Sequence, residues 1–105
     1  MERACFLFRV KRDRLQDYLM AHDVWPELRA EMARAGLRNY SMFHRADGLI
    51  VGYLEGDNIH ESLRRISATE VSVRWEATMA EFFEGGNVDG QPGGMEWLPE
   101  FFYQP

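Results

Sequence analysis

Tyr18 and His22 stand four residues apart, and Trp25-Pro26-Glu27-Leu28 follows at once. In a helix that spacing puts a phenol and an imidazole on one face. Imidazole changes charge near neutral pH, so the pair is suited to moving protons. Pro26 has no backbone N–H and must kink or restart the helix just beyond the histidine. The same pattern also describes an ordinary amphipathic helix with a histidine packed in its core. Further along the chain, Tyr40 adds a second phenol and Trp75 an indole. On bland readings one is a strand residue and the other a core anchor. Brought together, the four would make a pocket for a small polyhydroxylated ring. Aromatic walls stack on the apolar side of a sugar, while phenols and imidazole bond its hydroxyls.

Other chemistries find less support. The three histidines, His22, His44 and His60, lack any tight spacing with one another or with cysteine, so no metal site is expected. Gly85-Gly86 and Gly93-Gly94 lack the strand–turn–helix setting of a phosphate loop. Cys5 is the only cysteine and lies in an apolar run, which suits a small hydrophobe better than a nucleophile.

At 105 residues the chain fits one domain, residues 1–105, and 46% hydrophobic content is enough for a core. Its net charge of −5 disfavours a nucleic-acid partner. The early bases Arg9, Lys11, Arg12 and Arg14 are interrupted by Asp13 and Asp17, as on a solvated junction. No apolar run reaches the ~20 residues needed to span a bilayer, and the stretch after Met-Glu-Arg is too short for a secretory signal. With no disulfide possible, a cytoplasmic setting is expected.

These residues need elements to position them. Ala4–Val10 reads as a buried strand, and Asp13 as the cap of a helix carrying Leu15, Tyr18, Leu19 and His22. Leu28, Met32 and Ala35 mark a second helical stretch that Gly36 stops. Two strands, Arg38–Arg45 and Leu49–Glu55, flank Asp47-Gly48, a two-residue hairpin signal. A turn of that length pairs Ala46 with Leu49 and puts Tyr40, Met42, His44, Val51 and Tyr53 on one face. Asp57 or Asn58 begins a helix with Ile59, Leu63 and Ile66. Thr69 caps another, with Val71, Trp75, Met79 and Phe82/Phe83 as its buried stripe and Gly85-Gly86 as its stop. Residues 85–94 hold five of nine glycines and read as a mobile loop, and Phe101–Tyr103 as a last strand behind Pro99. The order is that of a ferredoxin-like α+β sandwich, βαββαβ, an antiparallel sheet with helices on one face. Its bare face calls for cover, which a second chain packed sheet to sheet would supply.

The set Tyr18-x-x-x-His22, Trp25-Pro26-Glu27-Leu28, Gly36-x-x-Asn39-Tyr40, Arg74-Trp75 and Phe102-Tyr103-x-Pro105 resembles the L-rhamnose mutarotases along nearly the whole chain. The resemblance implies a homodimer of ferredoxin-like subunits, the dimeric α/β-barrel type, interconverting the α and β anomers of L-rhamnose without a cofactor. It also implies His22 as proton donor and Tyr18, Tyr40 and Trp75 as substrate-contacting residues. The chain departs from the family pattern in two places. Asp23-Val24 is one residue shorter than the usual link between the histidine and the tryptophan. Glu76 stands where a second tryptophan is common, which adds an acceptor to the substrate-binding set and leaves the complementary base as Glu76 or a water. Alternatives are another 6-deoxy sugar such as L-fucose, a cofactor-free monooxygenase, or a non-catalytic ligand-binding module.

Overall fold

The first strand, β1 (Glu2–Arg9), alternates as the sequence does: Phe6 and Phe8 are buried, while Cys5 and Leu7 lie part-exposed on the other face. The computed structural model describes residues 1–105. After β1 come α1 (Leu15–Ala21), α2 (Pro26–Arg34), β2 (Arg38–His44), β3 (Leu49–Gly56), α3 (Ile59–Ser67), α4 (Glu70–Met79), a small hairpin of β4 (Asn87–Val88) and β5 (Gln91–Pro92), and β6 (Glu96–Leu98). The main sheet runs β2-β3-β1-β6 with every neighbouring pair antiparallel. This is the ferredoxin-like α+β sandwich. Phe6, Phe8, Ile50 and Leu54 of the sheet join Tyr18, Leu28, Ile59, Ile66, Val71, Trp75 and Met79 of the helices in one core.

Several boundaries differ from the sequence reading. Asp13 does not cap α1: Arg12–Arg14 form a single 3₁₀ turn and the helix starts at Leu15 without a side-chain cap. Asn58 holds the cap position of α3 with no side-chain bond of its own, because the Glu2 carboxylate reaches across to accept from Ile59 N at 3.0 Å. Thr69 does cap α4, accepting from Ser72 N at 3.3 Å. At the end of α2, Gly36 N donates to Ala33 O and Leu37 N to Met32 O, a Schellman ending that tucks Leu37 into the core.

The hairpin register is one residue off the expected one. Arg45 N bonds Leu49 O and His44 pairs with Ile50, so the loop has three residues, Ala46-Asp47-Gly48. Asp47 holds the loop through two bonds from Arg45, and Gly48 takes a φ of 94° where a Cβ would run into the Val10 carbonyl. Shifting the register by one turns side chains over. Val51 and Tyr53 therefore face away from Met42 and His44. Tyr40 faces inward with Met42, as alternation along β2 requires, and a second irregularity stands beside it. Between the pairs Arg38↔Glu55 and Ser41↔Tyr53, Asn39 and Tyr40 stand opposite Leu54 alone, a β-bulge with Asn39 at φ 50°.

The chain's end also departs from expectation. α4 stops at Met79, six residues before Gly85, and passes through a 3₁₀ turn (Ala80–Phe82) into a bridge between Phe83 and Val10. The stretch 85–94, expected as a mobile loop, is folded into the β4–β5 hairpin. Its base closes where Gly93 N donates to Gly86 O at 2.8 Å, and a Cβ on Gly85 would lie 2.8 Å from the Gly93 carbonyl carbon. The last strand is Glu96–Leu98 rather than Phe101–Tyr103. Trp97 packs on Phe6 at 5.2 Å, and Pro99, lacking an N–H, follows the end of the ladder. Phe101, Phe102 and Tyr103 stay exposed, with the Arg3 guanidinium over the Tyr103 ring.

Candidate active site

α1 ends one residue short of the histidine. His22 is its C-cap, with φ −82° and ψ 57°, so the backbone leaves the helical course there. Pro26 then occupies the first position of α2, where its missing N–H removes no helical bond. The break at residues 22–25 thus lets His22 leave the helix axis and lets Trp25 fold back. The result is a run of aromatic contacts. The rings of Tyr18 and His22 are 5.4 Å apart, His22 and Trp75 5.5 Å, and Trp75 and Trp25 5.2 Å, the last two edge to face. Tyr18 and His22 meet ring to ring rather than through a hydroxyl–imidazole bond. Trp75 arrives on the buried stripe of α4. Tyr40 reaches the same space from β2, its ring edge-on to Phe6 at 6.2 Å.

Tyr18, His22, Tyr40, Trp75 and Glu76 all line one cavity of about 650 Å³. That volume is in the range of small-molecule sites, about 300–1,000 Å³. The lining is mainly apolar with a few polar groups.

Burial sets the electrostatics. The phenols of Tyr18 and Tyr40 are pushed far above the usual range, first by desolvation, then by Tyr40 and Glu76 for Tyr18 and by Glu76 for Tyr40, so both remain neutral donors. Burial lowers His22 below its ordinary value, partly offset by a backbone hydrogen bond. Glu76 is raised to about 7 by desolvation alone, and its Oε2 is buried with no hydrogen-bond partner. A pair of neutral phenol donors, an imidazole and a carboxyl raised to about 7 are the groups that general acid–base chemistry requires. No three His, Cys, Asp or Glu side chains come together as a metal site.

Comparison with known proteins gives the family. The family model described as L-rhamnose mutarotase matches residues 3–104. The chain belongs to the L-rhamnose mutarotase family. An L-rhamnose mutarotase of Bacillus subtilis (strain 168) is 32% identical over 105 residues, covering 98% of each chain. Another, from Shouchella clausii, is 35% identical over 106 residues with the same coverage. The crystal structure of an L-rhamnose mutarotase from Formosa agariphila superposes over 100% of both chains with a TM-score of 0.81 at 24% identity, a likeness of fold. L-rhamnose mutarotases are isomerases acting on carbohydrates.

Within this family framework, sequence reasoning missed part of the wall. Met32 and Met42 line the cavity from α2 and β2, Asp23 and Arg29 flank the helix break, and Gln91 and Pro92 come from the β4–β5 hairpin. Met32 could have been found from the apolar stripe of α2. Gln91 and Pro92 carried no local signal, because only the crossing at Gly85 and Gly93 brings the hairpin tip to the site. Trp25, read only as part of a motif, braces Trp75 from the side, and the Arg74 guanidinium lies 5.7 Å from its ring.

Proposed function

We propose that the protein binds L-rhamnose in this cavity and interconverts its α and β anomers by acid–base ring opening. The convergence of Tyr18, His22, Tyr40 and Trp75 on one cavity carries the reading, together with membership of the family. His22 protonates the ring oxygen as the C1–O5 bond breaks, while a base removes the proton of the anomeric hydroxyl. Rotation about C1–C2 presents the other carbonyl face, and closure returns both protons. Trp75 stacks on the sugar, Tyr18 orients it or His22, and Tyr40 donates to a hydroxyl. Positioned proton transfer is typically worth about 10²–10⁴-fold, ample for a reaction that already runs in water.

Saturation-transfer NMR on α- and β-L-rhamnose tests this directly. The protein should raise exchange well above the buffer rate, and His22→Ala should return it to that rate. A folded His22→Ala protein with unchanged exchange would remove His22 from the mechanism. Running L-fucose and D-glucose in parallel assigns the sugar.

The reading extends to assembly. The sheet face away from the helices carries Cys5, Leu7, Val51 and Tyr53, with Phe43 exposed beside them. A second copy packed on that face makes the homodimer, which sedimentation should report at twice 12.3 kDa. No helix is long and apolar enough to cross a membrane. A cytoplasmic, reducing setting suits the single free thiol of Cys5.

A further inference from the structure

Glu76 is the most costly unexplained residue in the molecule. On α4 it is four residues from Ser72, on the flank of the Val71-Trp75-Met79 stripe, so it is drawn inward beside the core. One of its carboxylate oxygens is fully buried and has no partner. A buried polar atom without a hydrogen bond is disfavoured, and a charged one more so. The neighbours do not relieve it. Arg74 lies at the surface beside Glu27, 3.5 Å away. The Ser67 hydroxyl is taken by Leu63 O. The smaller polar pocket that Glu76 also borders adds another acid, Asp89. The titratable and charged groups around the two spaces are Tyr18, His22 and Asp23 of α1 and the break after it, Arg29 of α2, Tyr40 of β2 and Asp89 of the hairpin turn. Tyr18 and Tyr40 stay neutral. Among the lining groups, burial lowers the His22 imidazole and raises the Glu76 carboxyl, in each case favouring the neutral form.

A mutarotase needs two proton-transfer groups, and the reading above supplies one. We propose that Glu76 is the second catalytic residue, the base that takes the proton of the anomeric hydroxyl while His22 protonates the ring oxygen. The proposal rests on the mutarotase reading. In the opening step the O1–H proton passes to the Glu76 carboxylate, the C1–O1 double bond forms, C1–O5 breaks, and the His22 proton moves to O5. Closure on the other carbonyl face returns the first proton to O1 and the second to His22. Between them the two side chains hold one proton; burial favours the neutral imidazole with the protonated carboxyl, so the reacting arrangement, imidazolium with carboxylate, is the minor one-proton form, and neither the fully protonated nor the fully deprotonated pair can turn over.

The test uses the full chain and L-rhamnose exchange by NMR across pH 5–9. The wild-type kcat/KM should be bell-shaped. Glu76→Gln, equal in size and uncharged, should fall about 10²-fold or more and lose one limb, leaving a rate that only declines as His22 deprotonates. Glu76→Ala should regain exchange in proportion to added formate, a response that a packing role cannot give. A Glu76→Gln enzyme within threefold of wild type that keeps both limbs, or a Glu76→Ala enzyme blind to formate, overturns the assignment. Failure of the wild type to exchange any sugar on the panel would instead overturn the mutarotase reading itself.

Discussion

Glu76 also makes a prediction about folding that is independent of any sugar. Its carboxyl titrates at about 7 in the folded protein against an ordinary value of 4.5, because burial disfavours the charge. A group raised in this way contributes its stability fully below the unfolded value and loses it as pH rises through the folded one. The window is therefore pH 4.5 to about 7. Each tenfold gain in proton affinity on folding is worth about 1.36 kcal/mol, so the span sets an upper bound of about 3 kcal/mol. Part of the side chain reaches solvent in the cavity, which brings the expectation to about 2–3 kcal/mol. Glu76→Gln keeps the shape and removes the titration. It should match wild type near pH 4.5 and exceed it by that amount at pH 8. In a domain of this size, about 1 kcal/mol moves Tm by roughly 4–8 °C, so a gap of about 10 °C should open with pH. Thermal melts of both proteins from pH 4.5 to 8 measure it. Parallel curves, with a constant offset or none, would show that the carboxyl is solvated in solution and would refute the desolvation reasoning.

Tyr40→Phe keeps the ring against Phe6 and removes one hydroxyl, so stability should change by less than about 1 kcal/mol while KM for the sugar rises roughly 3–10-fold, the worth of one hydrogen bond; an unchanged KM would take Tyr40 out of the substrate contacts. Thr69→Ala should cost about 1 kcal/mol through loss of the α4 cap, read as a lower urea midpoint at constant slope. Gly48→Ala meets both a left-handed φ and the Val10 carbonyl, and should cost about 1–3 kcal/mol in the same assay; a neutral result would mean the three-residue turn is not held as described.

Local chemistry was enough for much of this molecule. The alternation through Phe6 and Phe8, the stripe Val71-Trp75-Met79, the Thr69 cap, the Gly36 ending and the restart at Pro26 are all short-range signals. Each depends on a neighbour within one or two turns, which a sequence displays. The same is true of the family resemblance, and of Tyr18, His22, Tyr40, Trp75 and Glu76 as the residues to watch. Other features were decided at longer range. The hairpin took three loop residues instead of two because Gly48 abuts Val10, from a strand far away in sequence. That choice decided that Val51 and Tyr53 face away from Tyr40 and Met42. Asp13 lost its cap role to a 3₁₀ turn, and Asn58 lost its own to Glu2. The final strand settled on Trp97 because Phe6 offered a ring to pack against. Above all, a glutamate in a sequence is normally a surface charge. Only the tertiary structure, by burying Glu76 beside the His22 cavity with one oxygen unpartnered, raises its carboxyl to about 7.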